Sequence, residues 1–490
     1  MSTKNPADAA APPTPPSDFS SLRGGCLIAL LLFVVLVLGE AEGVFSHAAL
    51  SRARPHLLGI AAHGGAPSAH PGGGGAAAAA ALPPALPLFT VEELLYAPAT
   101  REEHLGRVEA LAAAAPAAMA PLTAAAQRLL FEWQHPSTCE GRSFLVSQGN
   151  DALAGLGSHV HISTHHFAIA MERGAVFVWS EDVGHIYTDP ETCEGLGNIE
   201  CFFLPPSNCS LQDAHAPGAS RTSVRFGDAG KAGGFGLEFF HVPAPFVRLW
   251  EAAGLPVVVG ATTRQADALK YWFRGQVAAY LARPNAATTR AFRALRTRAG
   301  ALLHAAGPAA PPGAAARLGA AFPLPPGTLS MHVRHGDKFT EMPLVDTADY
   351  LSTAATLARM HPMALAGRTM FMSTEDPGAL SFSAEALGTD AALAPWALAW
   401  YDVPRANSNG PEQLNQFDIP RGQLSRVWLL QLLLALECDA WVGTRGSNWN
   451  RLIDELRCVW VPKCQHVYHE VGDFARWEHY SWRRRRLEGA

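Results

Sequence analysis

The segment His332-Val333-Arg334-His335-Gly336-Asp337-Lys338 gathers two cations, two imidazoles and a carboxylate in one short stretch. Such groups are costly to bury unless they are paired or hold a ligand. A planar guanidinium like that of Arg334 grips a phosphate or carboxylate with two parallel N–H groups. The plainer reading is a strand end at the surface, carrying an Arg334–Asp337 or Asp337–Lys338 ion pair. Ser373-Thr374-Glu375-Asp376-Pro377 supplies acids that could accept hydrogen bonds from a sugar or bind a metal. Acids at a helix N-cap, favoured by the dipole, explain the same residues. Gly443-Thr444-Arg445-Gly446-Ser447-Asn448 precedes a helix whose first N–H groups would cradle a phosphate, and Gly155-Leu156-Gly157 offers the same chemistry before another. Neither is a full GxGxxG or P-loop pattern. His159, His161, His165 and His166 include an i,i+4 pair but no HExxH carboxylate, so they read as a polar helix face, and no metal site is expected.

Periodicity supplies the elements that must position these residues. Thr90 with Glu93, and Thr100 with Glu103, have capping-box spacing. Ser143–Val146 reads as a strand, Ser158 onward as a helix ending at Gly174, and Ala175–Trp179 as a second strand, together a βαβ unit. A helix follows near Ala266–Leu281. An Ala/Pro/Gly stretch over 305–326 reads as a linker between lobes. Beyond it, strands at Thr328–Arg334, Arg368–Ser373, Ala397–Val403 and Ala440–Thr444 alternate with helices at Tyr350–Met360, Leu424–Leu436 and Ser447–Leu456, the last capped by Ser447. Repeated βα units predict an α/β fold with open parallel sheets and a Rossmann-like C-terminal lobe. Ligands then belong at the carboxyl ends of the strands.

The chain has 490 residues, and its 38 Lys+Arg against 43 Asp+Glu give a net charge of −5. That balance argues against a general nucleic-acid binder and requires any anion to be held by local charge. With 12 Trp and 23 Phe to bury, a wholly disordered chain is also excluded. Gly24–Gly39 carries no charge and follows Arg23. It is short for a spanning helix, and a cleaved signal competes with an anchor, but the charge order favours an N-terminus left in the cytosol. The expected organisation is a cytosolic tail (1–23), a transmembrane signal-anchor (24–43), a flexible stem (44–89), an Ala-rich helical segment with an N-terminal α/β lobe (90–304), the linker (305–326), the Rossmann-like lobe (327–474) and a basic tail (475–490). Outside the apolar run lie Cys139, Cys193, Cys201, Cys209, Cys438, Cys458 and Cys464, without a CxxC. Disulfides in an oxidising lumen are expected. Cys201/Cys209 and Cys458/Cys464 are near enough in sequence for local loops, with Cys438 in a buried strand.

Taken together, HVRHGDK at 332–338, STEDP at 373–377 and ECDAWVGTRGSNWNRL at 437–452 resemble the α1,6-fucosyltransferase family. GLGSHVH at 155–161, VFVWS at 176–180, TCEG at 192–195 and YWFRGQVAAYLARP at 271–284 follow in the family's order. The resemblance spans roughly Cys139 to Asp473. It implies a two-lobed, GT-B-like glycosyltransferase that moves fucose from GDP-fucose to the N-glycan core GlcNAc in α1,6 linkage, with inversion and with neither metal nor cofactor. Relatives acting on a protein hydroxyl or a chitin-like oligosaccharide, and an inactive glycan-binding relative, are the alternatives. A single-pass type II protein of the Golgi membrane follows, with its catalytic part in the lumen.

The same resemblance assigns residues. Arg334 would hold the β-phosphate, His332 would sit against the guanosine, and Glu341 would be the catalytic base, with Lys338 beside it. Asp337, Gly155, Gly157, Glu375, Asp376, Gln431 and Ser447 complete the expected donor site, and a Cys139–Cys193 disulfide is implied. Two positions depart from the family. His335 replaces a second Arg, which implies less positive charge near pH 7, and Gln431 replaces an Asp that contacts guanine. No counterpart of the family's C-terminal SH3-like domain is expected over residues 475–490.

Overall fold

A computed structural model describes residues 89–148, 154–180, 184–225, 241–255, 263–408 and 410–473. The expected anchor at 24–43 and the basic tail at 475–490 lie outside the described residues, as does the stem up to residue 88. Among the described residues no helix is long and apolar enough to cross a membrane.

Two short helices open the described chain, Val91–Tyr96 and Arg101–Ala114, each closed by the predicted capping box. Thr100 Oγ1 accepts from Glu103 N at 3.2 Å, and Glu103 Oε2 accepts from Thr100 N at 2.8 Å. Thr100→Ala is expected to cost about 1 kcal/mol of unfolding free energy, measurable by urea denaturation. An unchanged midpoint would mean that packing alone holds this helix.

The first sheet contains β1 (Ser143–Gln148), β2 (Val176–Trp179) and β3 (Ser220–Arg225), parallel and in the order β2-β1-β3. The Leu156–Glu172 helix crosses from β1 to β2, which is the expected βαβ unit. The second sheet has the order β4-β7-β6-β5-β8-β9, with β4 (Leu302–Ala306), β5 (Leu329–Val333), β6 (Thr369–Thr374), β7 (Ala397–Tyr401), β8 (Ala440–Gly443) and β9 (Tyr468–Glu470). All its pairings are parallel except β4 with β7. Successive strands build outward from β5 through β6 to β7, and β8 then returns to the other flank of β5. A crevice opens where the order reverses, at the carboxyl ends of β5 and β8.

Strand residues alternate faces with period two. Met370 and Met372 join Leu329, Met331 and Val333 under the Thr347–Met360 and Pro377–Thr389 helices. Phe371, Ala399 and Trp441 point to the opposite side, into a larger core shared with the first lobe. The Arg421–Glu437 helix lies in that core and is buried along nearly its whole length, which accounts for its run of leucines without a polar stripe.

Two expectations need correction. The 305–326 segment is not a plain linker. Ala305 and Ala306 finish β4, which pairs antiparallel with β7, and Ala314–Ala320 is a helix. The second sheet therefore recruits chain from before the expected boundary, because an edge strand needs only one partner and tolerates a weak pattern. The disulfides also differ. They are Cys139–Cys209, Cys193–Cys201 and Cys458–Cys464, so Cys139–Cys193 and Cys201–Cys209 are overturned and the third pair is found as expected. Ser207 Oγ donates to Gln134 O at 2.6 Å and Asn208 Nδ2 to Pro136 O at 3.0 Å. These bonds lay Cys209 beside Cys139, while a tight turn through Gly195 closes Cys193 on Cys201. Cys438 is unpaired and buried, at the end of the Arg421–Glu437 helix and not in β8.

Candidate functional site

A cavity of about 370 Å³ lies at the crevice. Its walls come from the end of β5, the 3₁₀ turn Gly336–Thr340, the end of β6, residues 403–408 and 410–413, the Arg421–Glu437 helix and the starts of two further helices, Leu156–Glu172 and Asn448–Val459. His332, Arg334, Asp337, Lys338, Glu341, Glu375, Gln431, Ser447, Gly155 and Gly157 all line it. Of the site residues expected from sequence, Asp376 alone does not. It caps the Pro377–Thr389 helix by accepting from Gly378 N at 2.7 Å, so the capping explanation holds for that acid.

Arg334 is fixed by acids on two sides. Its Nη1 donates to Glu375 and to His335 O, and its Nη2 to Asp337. Burial works against its charge, but Glu375 and Asp337 outweigh it and push its pKa up. Gly336 makes this geometry possible. It has φ +58°, and a Cβ there would lie 2.7 Å from Arg334 Nη1 and 2.8 Å from Ser408 O. Its N–H donates to Asn407 Oδ1 at 2.8 Å, which ties residues 403–408 across the site.

His332 is buried, and its Nδ1 lies 2.9 Å from Ser373 Oγ. Burial, with the charge of Arg334 beside it, pulls its pKa down to about 3, so the ring is neutral at pH 7. Its Nε2 is buried without a protein partner, an orphaned group that a ligand would satisfy. Lys338 is buried and pairs with Glu341, which is 60% exposed at the mouth. Burial lowers the Lys338 pKa against the pull of Glu341.

His335 does not behave as the sequence suggests. Nδ1 lies 2.7 Å from Asp376 Oδ2 and Nε2 lies 3.0 Å from Val345 O. Both partners only accept, so both ring nitrogens must donate, which defines an imidazolium. Burial lowers its pKa, but Asp376, the Val345 carbonyl and the charge of Glu375 more than reverse this, and the net shift is upward. The stabilisation is therefore complete below the unfolded value of 6.5 and fades as pH rises through the raised folded value. The stability gap between wild type and His335→Asn should shrink as the pH is raised from about 6 to about 9 in paired melts. A constant gap would refute the charged pair.

Ser447 occupies the N-cap position of the Asn448–Val459 helix, but its hydroxyl makes no bond to that helix, against the expected cap. It lines the cavity instead. Gly157 has a packing reason too, because a Cβ there would lie 3.2 Å from the Trp449 ring. The histidines of the Leu156–Glu172 helix are not an exposed polar face. His159, His161 and His166 are buried. His159 Nδ1 meets His185 Nε2 at 2.9 Å, His161 lies between Asn448 and Glu455, and His166 Nδ1 meets Ser147 Oγ at 2.8 Å. Among the described residues no group of His, Cys, Asp or Glu is arranged to hold a metal ion.

Sequence reasoning missed Tyr187, Arg405, Trp428 and Trp449, which also line the cavity. Trp449 stands inside the quoted GSNWN stretch, and Arg405 follows a predicted strand, where ligands were expected. Tyr187 and Trp428 carry no local signal.

No family model matches the sequence. No curated protein matches it either. Among solved structures the chain is similar to POFUT1 in complex with GDP, at 12% identity and a TM-score of 0.33, over 68% of this chain and 99% of that one. It is similar to apo POFUT1 at 11% identity and a TM-score of 0.33, over 69% and 100%. POFUT1 in complex with GDP-fucose matches at 11% identity and a TM-score of 0.29, over 69% and 100%.

Proposed function

We propose that the chain is a glycosyltransferase that takes fucose from GDP-fucose. The observation that carries this reading is convergence. Residues named by the α1,6-fucosyltransferase resemblance from four separate stretches of sequence, around 155–157, 332–341, 375 and 431–447, meet in one cavity at a sheet switch point. Gln431 and the orphaned Nε2 of His332 are the polar groups offered to the nucleoside. In this reading Arg334, the Ser447 hydroxyl and the N–H groups at the start of the Asn448–Val459 helix would meet the charge that the diphosphate gathers as it leaves.

In the proposed step the acceptor oxygen bonds to C1 of fucose from the face opposite the phosphate. The C1–O bond to GDP breaks, and its electron pair goes to the β-phosphate. Glu341 takes the acceptor hydroxyl's proton, and its position at the mouth suits a group that meets the acceptor. Phe339, 68% exposed beside it, offers an apolar surface for the face of a sugar ring. The acceptor we propose is the N-glycan core GlcNAc, in α1,6 linkage. The three disulfides support a lumenal setting, and the proposed anchor over 24–43 makes this a type II protein of the Golgi membrane.

Incubating the full-length protein with GDP-fucose, GDP-mannose and UDP-sugars, with and without EDTA, tests the reading through nucleotide release. Release from GDP-fucose that EDTA leaves unchanged is expected. Silence with every donor would leave a glycan-binding protein, and loss with EDTA would defeat the metal-free step. Adding an N-glycan, a folded protein acceptor or a chitin oligosaccharide in turn then identifies the acceptor.

A further inference from the structure

Arg405 lies just beyond β7, and three backbone carbonyls hold its guanidinium. Nε donates to Thr374 O at 3.0 Å, Nη1 to Val403 O at 2.8 Å and Nη2 to Tyr401 O at 2.6 Å. Thr374 ends β6, the strand paired with β5, so this cation reaches the carboxyl edge of the sheet beside the strand that carries Arg334. A guanidinium has five N–H donors. Three are used here, which leaves one on each terminal nitrogen of a side chain that lines the cavity.

Its charge is balanced differently from that of its neighbours. Arg334 is matched by Asp337 and Glu375, and Lys338 by Glu341. Among the described residues Arg405 makes no ion pair. Burial pulls its pKa down to about 10, with the charge of Asp402 acting the other way, so the group remains charged at neutral pH. A desolvated cation of this kind is costly unless an anion completes its surroundings. The carbonyl contacts fix its plane in advance, which favours binding of a planar-fork partner such as phosphate.

We propose that Arg405 is a further anion subsite of this cavity and joins Arg334 in holding the phosphate groups of its ligand. The choice of a guanine diphosphate rests on the function proposed above, whereas the anion contact does not. The competing role is structural, a staple joining the 401–405 turn to β6.

Calorimetry on the full-length protein with GDP, guanosine, UDP and inorganic pyrophosphate separates the cases. Arg405→Gln should weaken GDP by about 10- to 100-fold, the range expected for losing a charged hydrogen-bonded contact. Guanosine affinity should not change. Arg405→Lys, which keeps the charge but not the fork, should fall between. GDP and guanosine affinities that move together, or do not move, would overturn the subsite. If wild type binds pyrophosphate or UDP but no guanine compound, and Arg405→Gln loses that binding, the fucose reading falls and the subsite stands. Failure of wild type to bind any of the anions overturns the subsite. Should the variants lose cooperative melting, phenylglyoxal labelling of wild type decides. Pyrophosphate should protect Arg405 in peptide mapping, and equal labelling with and without it would overturn the proposal.

Discussion

Replacing Glu341 with Gln is expected to lower the proposed fucose transfer by about 10²- to 10⁴-fold, the usual contribution of a positioned general base. The substitution keeps the size of the side chain but removes its charge, and with it the ability to take a proton. Donor affinity should stay near wild type, because Glu341 stands at the mouth and not among the groups offered to the nucleotide. Its partner Lys338 sharpens the test. Once the carboxylate is gone, the buried ammonium loses the charge that opposes its downward shift, so the variant's residual activity should also change its pH profile. Transfer within about threefold of wild type would remove Glu341 from the reaction, since no general base contributes so little.

The second large effect concerns stability. Glu455, on the Asn448–Val459 helix, accepts from Arg274 Nε at 2.9 Å and meets His161 Nε2 at 2.9 Å. The three residues come from three helices, and both Glu455 and Arg274 are almost fully buried. Burial works against the carboxylate, but Arg274 and His161 outweigh it and hold its pKa low. Removing one partner strands the other's charge in the core. Glu455→Ala should therefore cost about 3–5 kcal/mol, read from denaturant unfolding. A double change that also replaces Arg274 with Met should recover part of that loss. A single-variant loss below about 1 kcal/mol would show that water or a shifted side chain satisfies Arg274.

Most of the parallel architecture is legible in the sequence, because buried strands and amphipathic helices impose different periods. The capping boxes at Thr90 and Thr100 are legible to the residue, since each depends on contacts three positions apart. What escapes is what depends on distant chain. Arg405 owes its place to carbonyls of residues 374, 401 and 403, and no local pattern encodes the first of these. The disulfide partners follow from how residues 207–209 dock on 134–139, a tertiary event. His335 reads as a half-charged substitute for arginine until Asp376 and the Val345 carbonyl are found on its two nitrogens. The buried histidines of the Leu156–Glu172 helix escape for the same reason, because their polar partners lie on other elements.

β4 has a practical consequence for handling this protein. Cutting the chain within the Ala/Pro-rich stretch would leave the second half without the strand that covers β7. β7 would then present a row of unpaired N–H and C=O groups along an apolar edge, a template for pairing with other copies. The first half would carry β4 with no sheet to join. Fragments divided there should aggregate when expressed separately, and division before Leu302 is the cut that leaves the six-stranded sheet whole.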